Sequence, residues 1–182
     1  MAQQIKNEQF ECGIWDKANG CMIPLASLAT LPVYHRKTIP SDYQDLMGHM
    51  NIRWYFDLFA RSGRKFFKAH GLDEDYFRDG KFGVFALKHF IQYFAEVRVG
   101  QAVGVHARLI ARSDKRFHFM QFMINETTTQ LASTFEALIT HADLKIRRSA
   151  PMPAQIVKKL DATLAQQEFL DWEAPISGAI KL

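Results

Sequence analysis

The sequence has few cysteines and no long apolar run, and both shortages limit what the protein can be. Its two cysteines, Cys12 and Cys21, form neither a CxxC motif nor another metal-ligand spacing. Free thiols are therefore predicted, with a disulfide between them as the less favoured alternative. No apolar run approaches the roughly 18 residues that cross a bilayer, and the first residues lack the charged-then-apolar pattern of a signal peptide. We therefore predict a cytoplasmic protein without a membrane partner.

Basic residues are too few and too dispersed to indicate a nucleic-acid-binding protein. The net charge is only +4. Nucleic-acid-binding proteins usually have Lys and Arg concentrated on one face, whereas this sequence has only small basic clusters at 112–116 and 145–148. The seven histidines are dispersed as well, without an HxxxH or HExxH motif. The sequence therefore predicts neither a nucleic-acid partner nor a metal site.

The sequence does contain enough apolar material for one well-packed domain. Hydrophobic residues make up 48% of the 182 residues and charged residues 23%, which is typical of a globular protein. Fifteen residues are Phe. Flat side chains in that number indicate an aromatic core or an aromatic ligand groove.

Hydrophobic periodicity predicts an α+β protein. Residues 33–39 alternate as a strand with one wet face. From about 51 to 70 the apolar residues recur at three- and four-residue steps, which is typical of a helix buried on most sides. Short turns join the later strands, so we expect an antiparallel sheet with one face covering the long helix. The remaining elements are strands at 84–94 (apolar on both faces, hence buried on both), 97–112, 116–126 and 131–147 and a helix at 154–170.

The most informative segment is 40–72, where a polar turn leads directly into the long helix. The turn contains two carboxylates, Asp42 and Asp45, followed by Gly48-His49-Met50-Asn51. A carboxylate thus precedes a helix N-terminus and stands beside a glycine that allows another backbone or a ligand to approach closely. Such a place can hold an anion, polarise a carbonyl group and activate a water molecule.

The string Asp45-Leu46-Met47-Gly48-His49-Met50-Asn51, with the helix and four strands that follow it, resembles the hotdog-fold thioesterases. The resemblance is greatest to the 4-hydroxybenzoyl-CoA thioesterase-like branch and covers about residues 33–153. It implies an antiparallel sheet wrapped around a long central helix. It also divides the chain into an N-terminal extension of unknown role (1–30), a hotdog domain (31–153) and a C-terminal helix and tail (154–182).

The resemblance implies an acyl-CoA thioesterase that works without a metal or a cofactor. It makes Asp45 the nucleophile or general base that acts on the thioester carbon. Free N–H groups at the helix N-terminus, with the donor near Ile52, would polarise the thioester carbonyl. Gly48 would allow close approach, since a Cβ there could block it. Considered without the family, Asp45 is better suited to capping a turn or a helix N-terminus.

Two further residues of the segment are candidates for supporting roles. His49 is a candidate for orienting the water or the carboxylate, and hydrogen bonding that fixes the turn is its structural alternative. Asn51 is a candidate for contacting the thioester or for holding the turn. Asp57 and Glu74 are the fallback carboxylates, because another branch of the family places a Glu on the helix.

Binding of acyl-CoA also requires contacts to phosphates and to the acyl group. Arg112, Lys115 and Arg116, at one turn between strands, are the candidates for the CoA phosphates. The family resemblance further implies a homodimer or a homotetramer. Candidates for the acyl groove, with core packing as the alternative for most, are the aromatic residues Trp15, Tyr43, Trp54 and Tyr93.

Two alternative functions stay open at this stage. A hotdog hydratase or dehydratase needs a His paired with a carboxylate, and His49 four residues after Asp45 matches that requirement only in part. A non-catalytic acyl-CoA-binding protein is the other alternative; a DNA-binding version would need a helix-turn-helix, which residues 1–30 do not contain. The acyl group is not specified, because Phe and Met suit aromatic or medium-chain groups and aromatic rings can also hold a quaternary ammonium.

Overall fold

The computed structural model describes residues 14–16 and 21–182, with side chains from Ile23 onward. Cys12 and the side chains of Trp15 and Cys21 lie outside the described part. The strands are β1 (Ile14–Asp16), β2 (Cys21–Ile23), β3 (Val33–Thr38), β4 (Phe82–Tyr93), β5 (Ala102–Arg112), β6 (Arg116–Asn125), β7 (Gln130–Asp143) and β8 (Arg148–Ser149). The helices are α1 (Leu25–Ala29), α2 (Ile52–Ala69), α3 (Glu74–Phe77) and α4 (Ala154–Gln167), with a 3-10 turn at Ser41–Tyr43. None of the described helices combines the length and apolarity needed to cross a membrane.

The main sheet is antiparallel throughout and packs around α2. Its strand order is β3-β5-β6-β7-β4, and β8 pairs with the end of β7. The apolar face of α2 and the inner faces of β5, β6 and β7 form one continuous core. The predicted α+β hotdog architecture, an antiparallel sheet wrapped around a long central helix, is therefore confirmed.

Helix α2 follows directly from the local sequence. The Asn51 side chain accepts a hydrogen bond from the Arg53 N–H at 3.1 Å and thereby caps the helix. Phe66 stacks on Phe119 of β6 with ring centroids 4.8 Å apart. The helix ends at Ala69 with His70 as its C-cap, and Gly71 follows with a φ of +88°, which an L side chain adopts only under strain. The predicted bounds of 51–70 are thus correct to within one residue.

Strand β4 shows where the sequence interpretation was wrong. It was expected to be buried on both faces, but it forms an edge of the sheet and most of its second half is exposed. Its apolar character therefore does not reflect burial within the single chain. The exposed apolar residues on and just after this edge are Leu87, Phe90, Tyr93 and Phe94.

Other differences concern short elements. The segment 131–147, read as one strand, contains β7 up to Asp143 and then a turn, in which Arg147 adopts a φ of +53°. Strand β8 follows this turn. Helix α4 ends three residues before the expected position at 170. The short elements α1 and α3 had no sequence signal, because a helix of one turn has too few residues to establish a period.

A second apolar cluster covers the outer face of the sheet. Leu25 and Leu28 of α1 pack with Phe122 of β6 and with Trp172, which is only 5% exposed. Arg108 places its guanidinium 4.3 Å from the Trp172 ring centroid and donates to the Trp172 carbonyl at 2.6 Å. Residues 171–182 form no helix or strand, but they are packed against the sheet. The three-part division of the chain stays a prediction.

A buried glutamate fastens this tail to the sheet through a hydrogen bond. His118 of β6 places Nε2 2.8 Å from Oε1 of Glu136 on β7, and both side chains are at least 95% buried. The second carboxylate oxygen accepts a hydrogen bond from the Ser177 N–H at 2.7 Å. Burial by itself would raise the pKa of Glu136, but the hydrogen bonds from His118 and Ser177 outweigh it and hold that pKa below its usual value.

We predict that Glu136→Gln lowers the free energy of unfolding by about 2 kcal/mol at pH 7, because a hydrogen bond to a buried charge is lost. The folded-state pKa of Glu136 is depressed, so the charge stabilises the fold above the unfolded-state pKa of about 4.3. That contribution is lost as the pH falls through the lower folded-state value. Urea denaturation at pH 7 and in the acid range should therefore show a difference between wild type and variant that shrinks on acidification. A difference independent of pH would contradict this assignment.

Candidate active site

The segment Asp45–Asn51 forms a tight turn at the N-terminus of α2. The Asp45 N–H donates to the His49 carbonyl at 2.9 Å, and the Gly48 N–H donates to the Asp45 carbonyl at 3.2 Å. Gly48 has a φ of +88°, which L side chains rarely adopt. The Met50 N–H donates to the Val97 carbonyl at 2.7 Å, which ties the turn to the chain that follows β4. The turn is therefore fixed by backbone hydrogen bonds on both sides.

The Asp45 carboxylate is held at the mouth of this turn. Its Oδ1 accepts a hydrogen bond from the Met47 N–H at 2.8 Å, and its Oδ2 lies 3.4 Å from His49 Nδ1. The other ring nitrogen of His49, Nε2, lies 3.8 Å from Oε1 of Glu96. Asp45 thus supports its own turn, as the structural alternative predicted, but it does not cap α2 because Asn51 does.

The N-terminus of α2 lies beside this turn. The Arg53 N–H is bound by the Asn51 side chain, and the Trp54 N–H donates to the Asn51 carbonyl at 2.9 Å. The N–H of Ile52, at the first helical position, has no acceptor inside the helix. Ile52 and Asp45 both line one cleft. A carboxylate and the positive end of a helix therefore face a common space.

This cleft has a volume of about 560 Å³, which is within the usual range for small-molecule sites. Tyr55 and Tyr93 meet edge to face there, with ring centroids 5.2 Å apart. Burial raises the pKa of Tyr55, and the nearby carboxylates of Glu96 and Asp45 raise it further. The cleft is therefore lined by aromatic rings and by two carboxylates. Its lining residues are Asp45, Met47, His49, Met50, Asn51, Ile52, Tyr55, Tyr93, Phe94, Ala95 and Glu96.

The structure brings together part of the predicted site. Asp45, His49, Asn51 and Ile52 line the cleft, and Gly48 shapes the turn beside it. A Cβ on Gly48 would find only Gln44 Nε2 nearby, at 3.9 Å. Within one chain, Gly48 is thus required by its backbone conformation and not by lack of space.

The three basic residues predicted for the CoA phosphates lie at the other end of the sheet. Arg116 is aligned with Phe85 through Thr140, whereas Tyr93 marks the cleft end of β4. Tyr93 lies eight positions after Phe85 along the strand, which corresponds to a distance of about 26 Å. Arg112 is moreover paired with Asp161 at 2.5 and 2.6 Å. Within one chain, Arg112, Lys115 and Arg116 therefore do not reach the cleft.

The fallback carboxylates and most of the aromatic candidates also lie outside the cleft. Asp57 accepts from Arg61 at 2.6 Å on the same helix, and Glu74 accepts from Lys68 at 3.4 Å at the surface. Tyr43 and Trp54 stack on each other with centroids 3.8 Å apart, as core packing predicts. Of the predicted aromatics with described side chains, Tyr93 alone lines the cleft.

Sequence reasoning missed two residues of the cleft. Tyr55 was predicted only as one of the apolar residues along the helix. Glu96, which lies between two predicted strands, was not predicted to have a role. Both reach the cleft because the end of β4 lies beside the first turn of α2. These two segments are far apart in sequence, so no local pattern predicts that they meet. Among the residues that the structure describes, no group of three or more His, Cys, Asp or Glu side chains is arranged to hold a metal ion.

Several known proteins are similar to this chain. An L-carnitine dehydrogenase/betainyl-CoA thioesterase of Rhizobium meliloti is 26% identical over 151 residues, which cover 83% of this chain and 30% of that protein. The chain thus spans less than a third of the length of that relative. A betainyl-CoA thioesterase of Pseudomonas aeruginosa is 24% identical over 132 residues, which cover 72% of this chain and 82% of that protein.

A solved structure shares the fold, and a family model identifies the family. A hypothetical protein of Staphylococcus aureus, solved in complex with CoA, superposes with a TM-score of 0.75 at 22% identity. The superposition covers 84% of this chain and 96% of that one. The sequence model of the thioesterase-like superfamily matches residues 39–160. Because this match takes in the turn, the central helix and the whole main sheet after β3, the chain belongs to the thioesterase-like superfamily.

Proposed function

We propose that this chain is an acyl-CoA thioesterase, which hydrolyses an acyl-CoA to a free acid and CoA. The observation that carries the proposal is that Asp45 and Ile52, the first residue of α2, line the same cleft. Hydrolysis requires a base or nucleophile and a donor for the carbonyl oxygen, and these two groups supply both. The thioesterase names of the curated relatives support the same reaction.

In the proposed mechanism, the thioester carbonyl oxygen accepts a hydrogen bond from the Ile52 N–H at the positive end of α2. Asp45 removes a proton from water as the water oxygen attacks the carbonyl carbon. The carbon–sulfur bond then breaks, and the proton passes to the thiolate of CoA. If Asp45 instead attacks directly, an anhydride forms and water hydrolyses it in a second step. His49, 3.4 Å from Asp45 Oδ2, orients the carboxylate or the water, and Asn51 holds the turn.

A hydratase is the second candidate, because His49 and Asp45 form a His–carboxylate pair at the cleft. Loss of enoyl-CoA absorbance without release of a thiol would identify it. A non-catalytic acyl-CoA binder would bind the thioester and leave it intact. The cytoplasmic location stays a prediction.

We further propose that two copies pair through the β4 edges. The exposed apolar residues Leu87 and Phe90 lie on this edge, and unpaired edges readily pair with another strand. A two-fold axis would make the two β4 strands antiparallel. The end of the sheet that carries Lys115 and Arg116 would then approach the cleft of the second copy. In this arrangement Lys115 and Arg116 of one copy would bind the phosphates of a CoA held in the cleft of the other copy. They do not reach the cleft of their own chain.

The first prediction concerns the carboxylate. Asp45→Asn should lower kcat/KM for acyl-CoA hydrolysis by about 100-fold or more, because the general base or nucleophile is removed. Release of CoA followed with a thiol reagent measures it. Asp42→Asn is the matched control, since Asp42 is an exposed carboxylate of the preceding 3-10 turn. Equal activity of Asp45→Asn and wild type would assign the chemistry to another group.

The second prediction concerns the turn. Gly48→Ala should lower kcat/KM by about tenfold, because a left-handed backbone costs an L residue roughly 1–2 kcal/mol and the turn relaxes away from its position. Gly80→Ala is the strain-matched control: Gly80 also has a positive φ, +63°, in open space and outside the cleft. The same assay, with thermal unfolding of both variants, separates loss of activity from loss of stability. If both variants lose activity equally, the turn has no special role.

The third prediction concerns assembly. Light scattering of the wild type should give twice the chain mass of 21.0 kDa, or a multiple of that dimer. The double variant Leu87→Asp/Phe90→Asp should be monomeric at low micromolar concentration, because two charges would face each other across the paired edges. Phe169→Asp, at a residue that is 90% exposed beyond α4, should leave the mass unchanged. A monomeric wild type would contradict the proposed pairing.

A further inference from the structure

The cleft has a charge that distinguishes among acyl groups. Asp45 and Glu96 contribute two carboxylates, His49 lies between them, and no Lys or Arg is among the described residues that line the cleft. The effect of Asp45 and Glu96 on the pKa of Tyr55 agrees with a negative potential at this place. An acyl group carrying a negative charge would be repelled here, whereas a cationic one would be attracted.

The cleft also offers aromatic surface at the same place. Tyr55 is buried with its hydroxyl 3.5 Å from the Ala95 carbonyl, so its ring is fixed. Tyr93 stands at 90° to it and is 45% exposed, so part of its ring is open to a ligand. A cation without N–H groups binds best against ring faces, where it needs no hydrogen-bond acceptor. Phe94, next in the chain, adds a third ring to the lining.

We infer that the acyl group of the substrate carries a quaternary ammonium, which the rings of Tyr55 and Tyr93 and the carboxylate of Glu96 select. The inference rests on the proposed thioesterase function and assigns the specificity of that same site. The names of the curated relatives, betainyl-CoA thioesterases, fit a trimethylammonium acyl group. Tyr55, Tyr93 and Glu96 are thus assigned to recognition, and Asp45 to the reaction at the thioester carbon.

Glu96 is available for such a role. One of its oxygens, Oε2, lies 3.4 Å from the Arg98 guanidinium, and the other, Oε1, lies 3.8 Å from His49 Nε2. The side chain is exposed, so water and salt partly screen the attraction between its charge and a bound cation. A trimethylammonium group cannot donate a hydrogen bond, so a carboxylate near it acts by charge alone. Replacing Glu96 with Gln therefore tests the charge and keeps the shape.

Two thioesters of equal shape test the inference. Betainyl-CoA carries a trimethylammonium group, and 3,3-dimethylbutyryl-CoA has carbon in place of that nitrogen, so they differ in charge and hardly in size. We expect wild-type kcat/KM to favour betainyl-CoA by at least about tenfold. Glu96→Gln and Tyr93→Leu should each lower this ratio by about fivefold through betainyl-CoA alone. Tyr93→Phe, which keeps a ring face, should retain the ratio within about twofold, and Glu74→Gln, a surface carboxylate outside the cleft, should leave it unchanged.

The outcomes separate this inference from the proposed function. Equal kcat/KM for the two thioesters in the wild type would overturn the inference and leave thioester hydrolysis standing. Equal loss toward both substrates in the Glu96 and Tyr93 variants would also overturn it, because those residues would then be merely structural. If neither compound releases thiol but another acyl-CoA of a wider panel does, the inference fails and the function stands. Absence of thiol release from every acyl-CoA of that panel would overturn the function. In that case, calorimetric titration of both compounds decides the inference: tighter binding of betainyl-CoA supports it, and equal affinity refutes it.

Discussion

The packing of α2 into the sheet is the constraint on which the rest of the structure depends. Phe59 and Phe66 lock the helix against Phe135 and Phe119, so the position of its first turn along the sheet is set by core packing. The hydrogen bond from the Met50 N–H to the Val97 carbonyl then joins the helix start to the segment that follows β4. The cleft exists because these two ends are held side by side. A rigid core thus determines where a polar turn meets an aromatic strand end.

Much of the architecture could be predicted because it has a local origin. The three- and four-residue period of α2 and its Asn51 cap are readable from neighbouring residues, and the turn around Gly48 has a distinctive sequence. The exposure of β4 could not be predicted, since a strand at the sheet edge and a strand in its centre can have the same apolar composition. Glu96 could not be found for a related reason: it reaches His49 only after the chain has crossed from the helix to the sheet.

The two ends of the proposed substrate require protein groups of opposite charge. CoA carries phosphates, whereas the described lining of the cleft carries carboxylates and no Lys or Arg. The phosphate end of the ligand must therefore lie away from Asp45 and Glu96. The basic residues at the β5–β6 turn are separated from the cleft by most of the length of β4. A second copy in antiparallel register would place opposite charges at the two ends of one bound molecule.

The apolar cluster around Trp172 has a consequence for larger assemblies. Residues of α1 and of the C-terminal tail already occupy the outer face of the sheet, and the Glu136 carboxylate holds the tail there through Ser177. Back-to-back stacking of two such sheets would first require the tail to leave. That step would expose Phe122 to water and leave the Glu136 carboxylate without one of its donors. Any tetramer of this protein is therefore expected to form through helix faces or sheet edges. The outer face of each sheet would stay covered by α1 and the tail of its own chain.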